Sequence, residues 1–493
     1  MKRLAFILTA TLLTISGIFA QNVDDALRYS QLFYTGTARF MSMGGAFTAL
    51  GGDMSTLSQN PAGLGVFRSS EISLSPQLLH NNTSANFHGI SKDYLYNFNL
   101  GQAGIVSNII SGSGSSGLLS LNFGYSFNKT SNLNSSTRIQ GTSTTSSMAD
   151  YWADASNGTY YTDITGAAGI AYDAWIIDTI TGSGAKSFGT VFSNYGDNPS
   201  SDYGQNIRRL ITNEGFMGEH AFSVGGNVSN KIFFGATVGI SRLKFTGHYE
   251  HLEKADYYLD SELSDFTYTE HFENTGTGIS LKIGTIIKPT ESIRIGLAFH
   301  SPTIYRIDEY FYDNISSNFT DDSHYEFEND PVRYNYSLTT PFRALAGFAY
   351  QFKKMALLSF DYEFIDYSTA RFSETGDNYD YSEKNLEIKN TLKQTSNIRV
   401  GGEFRMDKFY LRGGYGYYGK VFEIGEENDD MFHRSISVGA GFREQNINID
   451  FGFTNLRNTQ DYILYNTFSE SAVAGLTSSR NMFTVTMGYK FGY

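Results

Sequence analysis

The sequence predicts an all-β protein, an antiparallel transmembrane β-barrel of about 14 strands. Three observations carry that expectation. Apolar and polar residues alternate with period two in segment after segment. The connections between those segments alternate between short and long. After residue 20 no apolar run approaches the ~20 residues that a membrane-crossing helix needs, although the chain opens as an exported protein does.

Lys2 and Arg3 supply a positive start, Leu4 to Ile18 an apolar stretch, and Ala20 a small residue before Gln21. That layout predicts a cleavable secretory signal peptide over residues 1–20, and together with the barrel pattern it leads to the expectation that the mature chain lies in the cell outer membrane. The chain has no cysteine, which excludes a lipid-anchored start, disulfides and thiolate metal sites. Glycine stands at 50 residues, phenylalanine at 39 and tyrosine at 34, against 7 prolines and 2 tryptophans, a composition that favours strands. The formal charge is −13, and loss of Lys2 and Arg3 takes it to −15. That balance argues against nucleic acid as a partner, because phosphates favour a basic surface.

The alternation is clearest in five segments. Leu119, Leu121, Phe123, Tyr125 and Phe127 interleave with Ser120, Asn122, Gly124 and Ser126; Ile293 to Phe299, Ile398 to Phe404, Ile447 to Phe453 and Phe483 to Phe491 behave alike. On a strand such residues point to opposite faces. Strands are expected at 70–80, 93–107, 117–129, 217–229, 231–250, 266–287, 291–305, 331–352, 355–369, 394–406, 408–420, 432–444, 446–458 and 480–493. The stretch 331–352 is read as one strand carried through Pro341, since splitting it breaks the alternation of turns. Fourteen is an even number, as single-chain bacterial barrels require. Short turns fall at Ser229-Asn230, Lys288 to Ser292, Lys353-Lys354, Met406-Asp407 and Arg443 to Asn446, and long polar segments at 130–216, 306–330, 370–393, 421–431 and 459–479. Short periplasmic turns opposite long outer loops are the membrane-barrel pattern. The loop 130–216 is expected to hold short helices near Met148–Ala155 and Tyr203–Asn213, and the barrel proper runs over 70–493.

Residues 21–69 precede every strand. They contain Arg39-Phe40-Met41-Ser42-Met43-Gly44-Gly45-Ala46-Phe47-Thr48-Ala49-Leu50-Gly51-Gly52-Asp53 and then Gln59-Asn60-Pro61-Ala62-Gly63-Leu64. This segment resembles the start of the FadL/TodX family of outer-membrane channels for fatty acids and aromatic hydrocarbons. Gly296 to Pro302, Leu338 to Phe342 with Gly347 to Tyr350 and Phe360 to Phe364, and Ile398 to Phe404 with Leu411 to Tyr415 resemble that family in the same order. The long loop at 130–216 and the acidic, Tyr-rich later loops depart from it.

The resemblance implies passive uptake of long-chain fatty acids or other hydrophobic small molecules, with residues 21–69 forming a hatch, or plug, in the lumen and a lateral gap in the wall as the way out. An apolar pocket with a route into the bilayer suits such a ligand better than a water-filled pore. Gly44, Gly45, Gly51 and Gly52 permit backbone conformations closed to other residues, and Asn60-Pro61-Ala62 favours a fixed turn; these seven are the candidate gate. A plug that only fills the lumen is the plainer alternative. Arg294, Arg343, Arg399 and Arg412 lie on the polar faces of their strands, with Glu403, Asp361, Glu363 and Asp450 as expected partners. One or two of these arginines are candidates to receive a ligand carboxylate, although an ion-pair network filling the lumen is the favoured role for most of them.

No catalytic residues are expected. His300 and Ser301 are strand neighbours and face opposite ways. His248, Glu250, His251 and Glu253 have the composition of a metal cluster but read better as an exposed polar strand end, and Gly425 to Asp430 lacks calcium-loop spacing. Gly112 to Gly117 is a turn, not a phosphate loop, because no helix follows it. The expectation is a monomer in outer-membrane lipid without cofactor or metal. The alternative function is a FadL-related barrel that anchors or shuttles a component of a protein secretion system.

Overall fold

A computed structural model describes residues 22–112, 116–143, 145–180, 186–190, 205–255, 262–376, 379–468 and 471–492; the expected signal peptide lies outside these residues. Four short helical turns come first: α1 (Val23–Ser30), α2 (Ala38–Ser42), α3 (Thr56–Gln59) and a 3-10 helix over Pro61–Val66. Fourteen antiparallel staves follow. The first three are β1 (Ser70–Asn86), β2 (Ile90–Ser111), and β3 (Leu118–Asn132) continued by β4 (Ser135–Ser143). The outer loop then carries α4 (Met148–Ser156), α5 (Gly166–Asp173) and a small hairpin of β5 (Ile177–Thr179) and β6 (Phe188–Thr190).

Staves four to six are β7 (Gln205–Val228), β8 (Ile232–Ala255) and β9 (Leu263–Ile287). The seventh is β10 (Ile293–His300) with β11 (Ile304–Phe319), topped by the short β12 (His324–Glu328). The eighth is β13 (Val332–Thr339) with β14 (Arg343–Phe352), and the ninth β15 (Ala356–Asp366) with β16 (Arg371–Glu374). After α6 (Ser382–Thr391) come β17 (Gln394–Met406), β18 (Phe409–Tyr418), β19 (His433–Glu444), β20 (Ile447–Asn466) and β21 (Ser471–Phe491). The sheet closes on itself where β21 pairs with β1, Ile72 opposite Tyr489.

Closure pairs the last stave with the first, which is what allows strands to cross a bilayer. The period-two pattern is explained by the two faces. Ile72, Phe222, Ile283, Leu358 and Phe451 stand exposed on the outer surface, whereas Asn122, Ser126, Asp361, Arg399 and Thr484 point inward and are buried. A closed barrel with this apolar belt is an outer-membrane protein. The short turns are tight: Ser229 and Asn230 both take positive φ (55° and 56°), as a two-residue hairpin turn with the favoured twist requires, and Lys353, Asp407 and Gln445 take positive φ in theirs.

The structure corrects the loops. Residues 205–213, read as a helix from Tyr203, belong to β7; 304–319 and most of 459–479 are also strand, and 130–216 shrinks because β3, β4 and β7 run into it. The staves therefore continue beyond the membrane and pack on the loop helices. Trp152 of α4 lies 5.5 Å from the Phe266 ring and 5.3 Å from Tyr268. His251 and Glu253 are not an exposed strand end: both are fully buried, 2.9 Å apart. Glu253 accepts from Ser147 Oγ (2.6 Å) and from Met148 N (2.8 Å), so it holds the start of α4. At Pro341 the expected single stave is broken locally, residues 340–342 lying beside a matching break at 301–303.

Candidate functional site

The hatch folds for local reasons. Asn22 accepts from Asp25 N (2.9 Å) and Thr37 from Phe40 N (3.1 Å), capping α1 and α2. Asn60 accepts from Ala62 N (3.1 Å) with Pro61 in the first helical position, which starts the 3-10 turn. Gly44, Gly45, Gly51 and Gly52 all have φ between +63° and +74°, the left-handed region that glycine enters without strain. Gly44 also sits where a side chain would press on the backbone of Tyr415 in the wall.

Tethers from the hatch reach nearly every side of the barrel. Thr48 donates from N and Oγ1 to Asp361 Oδ2 (2.9 and 2.7 Å). Asn60 Nδ2 donates to Thr48 O within the hatch (2.6 Å) and to Thr285 O of β9 (3.3 Å). Asn122 Nδ2 donates to Leu64 O (2.7 Å), and Ala38 N donates to Thr486 Oγ1 (2.7 Å). Lys282 bridges Ser58 O (2.9 Å) and the buried Glu219 (2.6 Å), and His300 Nε2 meets Gln59 O at 2.7 Å. Glu219 and Lys282 escaped the sequence reading, and His300 was weighed there only as a neighbour of Ser301; their place on the inward face of their strands was the signal that marked them.

All four singled-out arginines face the lumen, and each is engaged. Arg294 Nη1 donates to Leu50 O of the hatch (2.7 Å). Arg343 Nη1 pairs with Glu363 (2.8 Å), and its other amino group holds Ser30 O at the end of α1. Arg399 meets the second oxygen of Glu363. Arg412 pairs with Glu403 (2.7 Å) and Asp450 (2.7 Å), and Glu403 also takes Arg39 of the hatch (3.0 Å). Two networks thus clamp the hatch to one wall. Among the described residues no group of three metal-ligating side chains gathers.

The outer half of the lumen is apolar around α1. Val23, Ala26, Leu27 and Tyr29 pack in one cluster with Leu243, Phe245, Ile307, Leu338 and Phe422. A cavity of about 710 Å³ opens beside this helix, with Leu27, Phe33 and Phe422 on its wall but a larger number of polar residues, Asp24, Arg28, Glu427 and Arg480 among them. Burial pushes the Asp25 carboxyl of α1 up to about 6, with the Arg28 charge opposing the shift.

Backbone pairing of the wall is interrupted at a lateral window between β2 and the stave of β3 and β4. Backbone pairing between β2 and β3 ends at Gln102 opposite Asn128. Above it β2 pairs with β1 and β4 pairs with β7, while only side chains bridge the facing edges, Ser91 to Arg138 O (2.6 Å) and Ser136 to Asp93 (2.6 Å). The hatch fills this interval. Phe33 N donates to Thr130 O (2.9 Å), Thr35 N to Lys129 O (3.0 Å), and Thr35 Oγ1 reaches Gly101 O on the opposite edge (3.5 Å). Outside, Tyr94, Tyr96 and Phe98 of β2 stand exposed at the same height.

Comparison with known proteins places the fold. No family model matches the chain, and no curated protein does. A solved FadL homologue from Pseudomonas aeruginosa is similar over 94% of this chain and 99% of its own, at 13% identity and a TM-score of 0.57. The toluene transporter TodX of P. putida is similar over 93% and 99%, at 12% identity and a TM-score of 0.52. The chain has the fold of these barrels, hatch included.

Proposed function

We propose that this chain is a channel for long-chain fatty acids or comparable hydrophobic small molecules, which leave it sideways into the bilayer. The observation that carries this reading is the window between β2 and β3, closed by hatch residues rather than by strand pairing. A hydrophobic solute entering from outside passes a cavity of mixed lining beside α1 and reaches the apolar cluster packed around that helix, a better solvent for it than water. The hatch blocks the straight path to the periplasm. Movement of residues 33–35 opens the window instead, and the solute passes to lipid without crossing water.

In this account Gly44, Gly45, Gly51 and Gly52 are the hinges, and the Asn60-Pro61-Ala62 turn is the fixed end about which the rest shifts. Arg343 is the arginine placed to take a ligand carboxylate, because withdrawal of α1 frees the group that now holds Ser30 O. The fold of TodX, a toluene transporter, is consistent with hydrophobic cargo.

Proteoliposomes holding the purified barrel test the proposal with a fluorescent long-chain fatty acid and, in parallel, a hydrophilic sugar of similar mass. The expected result is fatty-acid transfer well above that of empty vesicles, with no transfer of the sugar. Equal transfer of both would mark a plain pore. No transfer of either, with a secreted protein co-purifying, would assign the chain to a secretion system.

A further inference from the structure

The chain is acidic, yet its periplasmic end is not. A cavity of about 350 Å³ opens there beneath the hatch, and of its twenty lining residues seven are Lys or Arg and two are Glu. One of the two acids, Glu403, is already shared between Arg39 and Arg412. We propose that this cavity is a binding site for a small oxyanion, a phosphate or carboxylate group, held chiefly by Arg294 and Arg443.

Three observations carry the proposal. First, Nε of Arg443 and Nε of Arg294 are buried and make no hydrogen bond, and neither arginine has an ion pair among the described residues. Buried donors without acceptors are costly, and an oxyanion supplies the acceptor. Second, the guanidinium groups of Arg405, Arg412 and Arg443 surround one ring, Tyr410, at 5.6, 5.4 and 4.7 Å from its centroid. The ring face offsets part of their mutual repulsion; an anion among them offsets far more. Third, Arg294 spends a donor on a neutral carbonyl, Leu50 O, and charge-assisted bonds to an oxyanion are roughly twice as strong as neutral ones. The site lies on the opposite side of the hatch from the cavity beside α1, so it serves a different ligand from the one taken at the outer mouth.

The shared chemistry has two sources at this face, a free anion and the headgroup of an inner-leaflet phospholipid, and the test separates them. The mature protein in a neutral detergent is titrated with inorganic phosphate at constant ionic strength set by chloride. In a second arm it is placed in nanodiscs of phosphatidylcholine with or without phosphatidylglycerol, and bound lipid is counted by native mass spectrometry. Saturable phosphate binding, weakened about tenfold or more by Arg443→Gln and by Arg294→Gln, assigns a free anion. Retention of phosphatidylglycerol by the parent and its loss in both variants, without phosphate binding, assigns a headgroup. The two variants guard against misfolding of either, since Arg294 tethers Leu50 of the hatch whereas the Arg443 side chain makes no hydrogen bond or ion pair to it among the described residues. Absence of saturable binding in both arms, or variants that bind as the parent does, overturns the proposal.

Discussion

Thr48 and Asp361 are joined twice: the backbone N–H and the hydroxyl of Thr48 both donate to one carboxylate oxygen of Asp361, at 2.9 and 2.7 Å. The residues are far apart in sequence, one in the hatch and the other on β15, and both are buried. Hydrogen bonds to a charged group contribute about 1.5–3 kcal/mol each, so this junction is a principal clamp. Thr48→Val, which keeps the shape and the backbone bond, is expected to loosen the hatch by about that amount. The check is single-channel recording in planar bilayers, where the variant should open in bursts more often than the parent.

A second clamp is made by the wall's own backbone. At Gly296 of β10 an added methyl would lie against the backbone of Thr48 and 2.8 Å from Ala49 Cα. Neither neighbour is a flexible side-chain tip, so the hatch must move. Gly296→Ala is expected to unseat it, at a cost of about 1–3 kcal/mol. Urea unfolding from vesicles measures the loss, and protease cleavage within residues 44–66 should appear in the variant alone.

Much of this was legible before any coordinates. Fourteen staves and their short turns follow from alternation, because outward residues meet lipid and inward ones meet the hatch. The parts that were not legible lie where that contrast fails. Above the membrane both faces of a stave meet protein or water, and Arg209 points inward, paired with Glu270 at 2.8 Å, between the buried Ile207 and Ile211. An inward arginine broke the strand pattern over 205–213 and left a helix-like spacing. The four lumen arginines were found for the same reason, but their partners depend on register, which sequence does not fix. The window was invisible because Leu133 and Asn134 interrupt a stave without a proline or glycine to mark them.

Glu219 and Lys282 form a buried pair at 2.6 Å whose lysine also holds Ser58 O of the hatch. Removing one partner leaves the other charge buried, which costs about 3–5 kcal/mol. Lys282→Met is expected to show that loss, and Lys282→Met with Glu219→Leu to recover most of it. A double-mutant cycle by urea unfolding reads the coupling; equal losses in single and double variants would contradict it.

Docking of α1 is expected to depend on pH through Asp25. Burial raises its folded pKa from 3.8 to about 6, so the folded state binds the proton more tightly than the undocked one. The stabilising contribution is full below pH 3.8 and is lost as pH rises through 6. A spin label at Asp24→Cys should therefore grow more mobile between pH 5 and 7.5, and Asp25→Asn should abolish that change.

The central claim is that residues 33–35 gate a lateral window. The chain has no native cysteine, so the pair Thr35→Cys and Gly101→Cys makes a single lock between the hatch and the free edge of β2, positions whose atoms already meet at 3.5 Å. Fatty-acid transfer by the oxidised double variant in proteoliposomes is the measurement. The account predicts transfer reduced to the level of empty vesicles and restored by a reductant, with each single variant unaffected. Transfer that continues at the parent's rate while the disulfide is shown to be formed would contradict it.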